Sequence, residues 1–522
     1  MRTPTRRSVL GASITVAGAG FLAACSGSAS SGHSGSVASD PKGYVDPAGK
    51  EVAAAEQRRA ARGRGVVRTI RLTATRSSLN LGERKVTSWS YGGALPGKEM
   101  RVTAGDTLAV TLANHLPDTT SLHWHGIALR NDMDGVPGLT QRVIEPGADF
   151  TYRFTVSHPG TYWFHPHSGV QLDRGLYAPL IVEDPKEPLS YDKEWVVVLD
   201  DWLDGVDGTT PDAVFAQLTG GRGMSMGGGM GDMPMDQHGT SSTSARSRMT
   251  AGGHSDLLGG DPGDVEYPFF LVNGRTAKAP SAFKARPGDR IRIRFVNAGG
   301  DTAFRVALGG HEMTVTHTDG YPVKHARTDA LLIGMGERYD VLVTAGDGVF
   351  PLTALAEGKD ASTMALLRTG GGGTPSAGTR PGELDRRLLT ADRLRADQSV
   401  ALKRKNPDRT IRLRLTGRMT QYDWAFDGKP YTPSQRHPVR AGERVRLEFV
   451  NSTAMWHPLH VHGHTFALAD VTGGPRKDTA IVLPRKTLRV DFDADNPGLW
   501  MIHCHNVYHA EAGMMTVLGY ES

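Results

Sequence analysis

Between Gly288 and Asn297 the chain reads GDRIRIRFVN. Ile291, Ile293 and Phe295 alternate there with Arg292 and Arg294. A period of two is that of a β-strand with one face on a core and the other in water. The pattern has two partners: GDTLAVTLAN from Gly105 to Asn114, and GERVRLEFVN from Gly442 to Asn451. Each runs nine positions from Gly to Asn, and one segment recurring at long intervals means related domains. The alternation returns at Tyr152-Phe154-Val156, Ile411-Leu413-Leu415 and Leu488-Val490-Phe492. With 64 glycines and 30 prolines to supply turns, these strands predict an all-β protein of three Greek-key β-sandwich or barrel domains.

The 522 residues suit several domains. Residues 65–186, 190–370 and 395–522 are assigned to the three units, with a Met- and Gly-rich insertion at 222–254. A linker occupies 371–394, where the chain passes through GGGGTPSAGTRPG (370–382). Residues 1–25 read as an export signal: Arg6-Arg7 precede an apolar run that ends at Leu22-Ala23-Ala24-Cys25. Cys25 is the expected lipidation site, the alternative being an ordinary cleaved signal with an incidental cysteine. Residues 26–64, rich in Ser, Gly and Ala, read as a flexible linker. The expected location is the outer face of the cytoplasmic membrane or the exterior, reached by the twin-arginine route, with the membrane touched only through the anchor. A net charge of +5 with scattered Lys and Arg gives no ground for a nucleic-acid partner. A monomer is expected.

Ten of the 20 histidines fall in four short segments, 123–125, 165–167, 457–462 and 503–509. His123 and His125 stand 9 and 11 positions after Asn114, and His460 and His462 stand 9 and 11 after Asn451. In the middle copy those offsets fall on Val306 and Leu308, so only the outer domains keep a candidate metal edge. A second half-repeat sets Gly160 five residues before His165 and Gly498 five before His503. It aligns His165-Pro166-His167 with His503-Cys504-His505. On a strand, residues i and i+2 share a face and i+1 takes the other. His503 and His505 therefore face one site and Cys504 another. Eight imidazoles, from His123, His125, His165, His167, His460, His462, His503 and His505, can converge between the outer domains. His457, Cys504, His509 and Met514 form a second set, two imidazoles, a thiolate and a weak thioether, which matches a blue-copper electron-transfer site. The chain has one other cysteine, Cys25, so a disulfide is not expected.

The segments HWHG at His123, HPH at His165, HPLHVH at His457 and HCHNVYHAEAGM at His503 resemble those of the multicopper oxidases, which include laccases, ascorbate oxidases and bacterial copper-tolerance oxidases. The resemblance runs from about residue 66 to the C-terminus. It implies cupredoxin-like domains and four copper ions, one type 1, one type 2 and two type 3. His123 and His460 would hold type 2; His125, His165, His167, His462, His503 and His505 would hold type 3. His457, Cys504 and His509 would hold type 1, with Met514 axial. The implied activity is one-electron oxidation of a small-molecule or copper(I) donor, coupled to reduction of dioxygen to water. A copper-free exported scaffold protein of the same fold is the alternative, and it predicts lost ligands. A two-domain nitrite reductase fits poorly with a third repeat.

Oxygen reduction consumes protons. Asp134, 11 residues after His123, is similar to an acidic position that serves this purpose in bacterial relatives, and it also reads as a turn-forming Asp before Gly135. Many bacterial members carry Glu just before the last histidine, where this chain has Tyr508; Glu511 is the substitute candidate. The insertion holds Met224, Met226, Met230, Met233, Met235 and Met249 with His238 and His254. Thioethers are soft ligands for copper(I), whereas a plain Gly-rich loop would bind nothing.

Overall fold

The computed structural model describes residues 43–220, 247–250 and 252–522. Among the described residues six sheets carry the fold. The strands Thr107–His115, Arg290–Asn297 and Arg444–Asn451 take the same position in three of them. Each lies between a parallel neighbour (Val67–Asn80, Lys193–Trp202 or Arg409–Thr416) and an antiparallel one (Asp149–Thr155, Arg338–Thr344 or Thr487–Asp493). A second sheet accompanies each and carries the strands His123–His125, Phe304–Leu308 and His457–Val461 respectively. Side chains from both sheets of each pair, such as Val110 with Trp124 and Leu447 with Trp500, are buried in one apolar core. The chain is thus all-β, as the alternation predicts.

The asparagine that ends each repeated strand has one task in all three places. Its side-chain amide donates to one carbonyl of the following loop and to one of a distant segment: Asp118 and Ile144 for Asn114, Thr302 and Ile333 for Asn297, Met455 and Val482 for Asn451. Its oxygen accepts the N–H two residues on, from Leu116, Gly299 or Thr453. This Asx turn fixes how the chain leaves one sheet and enters the other, and so fixes which residues sit 9 and 11 positions later. In the middle unit those residues, Val306 and Leu308, are buried in the core.

Three expectations need correction. Residues 43–64 are not a loose linker: Lys50–Ala61 is a helix that buries Val52 and Ala55. Its alanine-rich sequence favours helix, Glu56 accepts the Thr155 N–H, and Tyr44 pairs with Glu521 beside the C-terminal strand. Arg292 and Arg294 do not face water. Both are buried, paired with Asp340, Glu187 and Glu194, and Arg294 also donates to Thr161 of the first unit. The polar face of the middle sheet is therefore a contact with the first unit rather than a solvated surface. Part of the 371–394 linker is also built in, since Leu388–Leu389 pairs with Ala330–Ile333 of the middle unit.

The end of the insertion joins the fold too. Arg248 is buried, Met249 bridges to Val265, and the Thr250 N–H donates to the Asp264 carbonyl. His254 is exposed beside Asp256. Met224, Met226, Met230, Met233, Met235 and His238 lie outside the described residues, as do the export signal and Cys25. Among the described residues no helix is long and apolar enough to cross a membrane.

Candidate metal centre

Two short strand pairs carry the histidines. In the first unit His123 is paired with His165 and His125 with Trp163; in the third, His460 is paired with His503 and Leu459 with Cys504. The two edges close on each other. The ring of His123 stacks on that of His462, and the ring of His125 on that of His460, both with centroids 3.8 Å apart. By their offsets in the repeat His123 corresponds to His460 and His125 to His462, so the two stacks are one contact made twice across a local two-fold relation. Candidate ligand atoms of His123, His460 and His462 lie within 4.8 Å of one another, as do those of His123, His125 and His165, and those of His167, His462 and His503. His505 completes the group, its ring centroid 5.0 Å from that of His125.

The hydrogen bonds fix which ring nitrogen each histidine has free. Nδ1 of His123 donates to the Asp134 carbonyl, of His165 to Pro166, of His460 to Asp478 and of His503 to Cys504. His462 Nδ1 lies 2.9 Å from Asp134 Oδ2. His125 is reversed, with Nε2 3.0 Å from Asp478 Oδ1. What remains is a set of buried ring nitrogens without partners: Nε2 of His123, His165, His167, His460, His462 and His503, Nδ1 of His125, and both nitrogens of His505. Buried polar atoms are rarely left unpaired. Nine such nitrogens on eight rings at one place fit metal ions that prefer imidazole, and the outer hydrogen bonds orient the rings for them.

Cys504 turns the other way, as strand parity requires. Its Sγ lies 3.6 Å from His457 Nδ1 and 3.7 Å from His509 Nδ1, and the three residues form a buried group. The outer nitrogens are taken: His457 Nε2 meets Thr453 Oγ1 at 2.9 Å and His509 Nε2 meets Asp264 Oδ2 at 2.8 Å. Both imidazoles therefore turn Nδ1 toward the sulfur. Met514 is buried, and its carbonyl accepts the Cys504 N–H. Two imidazoles and a thiol, with a buried methionine hydrogen-bonded to the cysteine through its backbone, fit a blue-copper donor set.

Asp134 ends a short 3-10 turn before Gly135, as its turn-forming reading expects. Its carbonyl accepts from His123, and its Oδ2 lies against Nδ1 of His462, the ring stacked on His123. Glu511 lines a crevice of ≈ 30 Å³ with His165, His167, His503 and His505. Burial, with Asp212 nearby, pushes its carboxyl up to about 7. Tyr508 turns away from the crevice, its hydroxyl donating to Asp173 at 2.5 Å.

Sequence reasoning missed four partners. Asp478 joins His125 to His460 and is held by Arg338 through bonds of 2.6 and 2.7 Å, with all four residues buried. Arg338 belongs to the middle unit, which has no donors of its own in the cluster. Gly126, the glycine of HWHG, makes room for this pair: a Cβ there would sit 2.4 Å from Arg338 Nη2 and 2.6 Å from Asp478 Oδ2. Asp264 and Thr453 are the other two, and neither lies in a histidine motif. No local sequence motif marks Asp478; it arrives beside the cluster because its neighbour Thr479 pairs with His460 across the sheet.

Burial, aided by neighbouring imidazoles, holds most of these rings below the ordinary value of 6.5: His125, His165, His457, His460, His462, His503 and His505 are lowered, and His167 sits at about 3. A depressed imidazole stays neutral in the folded chain while the unfolded chain takes up protons. Its contribution is whole above 6.5 and is lost as the pH falls. Each such group costs up to about 1.4 kcal/mol per pH unit below 6.5. His509 runs the opposite way: burial lowers it, but the Asp264 carboxylate outweighs this and lifts it to about 10. The expected result is that metal-free protein melts at a steeply lower temperature at pH 5.5 than at pH 7.5. Equal melting temperatures at the two pH values would contradict it.

Comparison with known proteins agrees with this geometry. Three family profiles described as multicopper oxidase match residues 73–187, 238–372 and 404–521. The chain is 48% identical over 520 residues to the multicopper oxidase MmcO of Mycobacterium tuberculosis, covering 99% of this chain and 96% of that one. It is 31% identical to a copper resistance protein A homolog of Pseudomonas syringae pv. tomato, covering 85% and 92%. Among solved structures, the laccase of Botrytis aclada superposes with a TM-score of 0.69 at 25% identity, over 88% of each chain.

Proposed function

The chain belongs to the multicopper oxidase family, a family of copper-dependent oxidoreductases, and from that premise we propose that it oxidises copper(I), with phenolic compounds as a second donor class, while reducing dioxygen to water. The observation that carries this is the set of buried imidazoles, each with an unpartnered nitrogen, two of which are the sequence neighbours of a Cys504 flanked by two further imidazoles. His457, Cys504 and His509 would hold the type 1 ion with Met514 as a weak further donor, His123 and His460 the type 2 ion, and His125, His165, His167, His462, His503 and His505 the type 3 pair. When bound, these ions supply stepwise transfer of four electrons which, with four protons, convert dioxygen to two molecules of water.

The chain's own residues do the rest. His503 and His505 tie the Cys504 sulfur to the cluster through two peptide bonds. Asp134 sits between the first and third units and holds a proton-accepting oxygen against His462. Glu511, with its raised carboxyl, lines the crevice beside the type 3 histidines and is suited to passing a proton from solvent. The twelve donors are all present in the sequence, which counts against a copper-free scaffold.

Copper(I) is favoured as donor by a cavity of ≈ 1060 Å³ beside the type 1 group. Met419 and Met455 line it together with Asp261, Asp423 and Glu511, a mixture of soft and anionic ligands. The described ends of the methionine-rich segment open beside it: Thr219 lines the cavity, and Gln217 accepts the Arg248 N–H. We further propose export by the twin-arginine route and anchoring through Cys25.

Copper analysis and the visible spectrum of the purified protein test the assignment; four ions per chain and an intense blue band are expected. Removing residues 222–245 tests the donor, and the cut stops short of Arg248 because that residue is part of the fold. Copper(I) oxidation should fall about tenfold, roughly 1.4 kcal/mol on the barrier, with phenol oxidation unchanged. Equal loss of both activities would argue against metal delivery by the segment.

A further inference from the structure

The donor cavity does not reach either imidazole of the Cys504 group by a hydrogen bond. Thr453 Oγ1 is also 2.8 Å from Asn451 Oδ1, to which it donates, so it accepts from His457 Nε2. Asp264 Oδ2 caps His509 Nε2 and accepts the Tyr422 hydroxyl at 2.7 Å as well. Both outer nitrogens are thus closed by the protein. Thr453 and Tyr422 line the cavity as well, and the Tyr422 ring packs against His509 alone; the one cavity-lining side chain whose ring packs against both imidazoles is Trp424. Its ring lies 4.4 Å from that of His509 and 5.3 Å from that of His457, centroid to centroid. It is 1% exposed, lines the cavity, and its indole N–H has no partner. The neighbouring wall is Gly417, where a Cβ would come within 2.5 Å of Trp424 Cε3. Only glycine lets the indole edge lie so close under the cavity surface.

We propose that Trp424 is the electron port of this enzyme: a donor bound in the cavity is coupled to the type 1 site through the indole ring, and not through a ligand imidazole that it touches. One electron leaves the donor, which becomes its one-electron oxidised form, and one electron arrives at the copper held by His457, Cys504 and His509. The indole bridges the two and ends unchanged. The inference rests on the type 1 assignment proposed above. The competing route is the hydrogen-bonded chain from Tyr422 through Asp264 to His509.

The test is anaerobic bleaching of the blue band by hydroquinone in copper-loaded protein, with spectrum and reduction potential recorded for each variant. Trp424→Leu should bleach about tenfold more slowly at saturating hydroquinone, with the half-saturating concentration and the potential little changed. Trp424→Phe, which keeps a smaller ring, should be slowed about threefold. It carries the same test if the leucine variant does not accumulate as blue protein. Tyr422→Phe should bleach at the unsubstituted rate. The proposal is overturned if the Trp424 variants bleach at the unsubstituted rate, or if a shifted potential accounts for the whole loss. It is equally overturned if Tyr422→Phe alone is slow. A colourless unsubstituted protein would instead overturn the type 1 assignment, and this inference with it.

Discussion

Cys504→Ser is expected to give a colourless protein that still binds copper at the eight-histidine cluster. The thiolate is the donor that makes the group of His457, His509 and Met514 a blue-copper set, and a serine oxygen cannot replace it. Oxygen consumption with any one-electron donor should fall by about a thousandfold or more, roughly 4 kcal/mol on the barrier, because electrons lose their path from the cavity to the cluster. The neighbours His503 and His505 face the opposite way and have their own hydrogen-bonding and ring contacts. Copper should therefore drop by about one ion per chain and not by all four. Copper content with visible and electron paramagnetic resonance spectra checks this. A variant that stays blue would disprove the assignment of Cys504.

Arg338→Met is expected to be the most damaging substitution outside the donor set. Arg338 is fully buried, bidentate on Asp478, 3.6 Å from Asp319, and bonded to the Thr161 carbonyl. Removing one partner of a buried pair leaves the other charge unpaired and costs about 3–5 kcal/mol. The loss reaches the cluster because Asp478 orients both His125 and His460. Denaturant unfolding of the metal-free protein should show the destabilisation, and copper per chain should fall. Full copper loading with a stability change under about 1 kcal/mol, the scale of an exposed pair, would show that the ion pair does not hold these rings. Arg338→Lys keeps the charge but not the fork, and should lie between.

Much of this was legible in the chain. Alternation at Ile291-Ile293-Phe295 identified strands, the shared offsets from Asn114 and Asn451 located the histidines, and parity separated Cys504 from His503 and His505. Local periodicity carries that information because a strand fixes the direction of its own side chains. What it does not carry is who arrives from elsewhere. Asp478, Arg338, Asp264 and Trp424 meet the histidines only after distant segments are packed together, and none stands in a ligand motif of its own segment. The arginines of the quoted strand misled for the same reason: alternation reports that one face is polar, and says nothing about whether another domain covers it. The helix at Lys50–Ala61 was hidden inside a composition that reads as linker, although its alanines and charged residues are good helix formers.

The stacked rings of His123 with His462 and His125 with His460 join two ends of one chain. A ribosome that has made 502 residues has made seven of the twelve donors and holds both partners of each stack. It still lacks the closing strand, with His503, Cys504 and His505. No fragment that stops before His503 can thus present a finished cradle. Capturing all the ions waits on the segment from His503 to Met514, whichever part of the chain folds first.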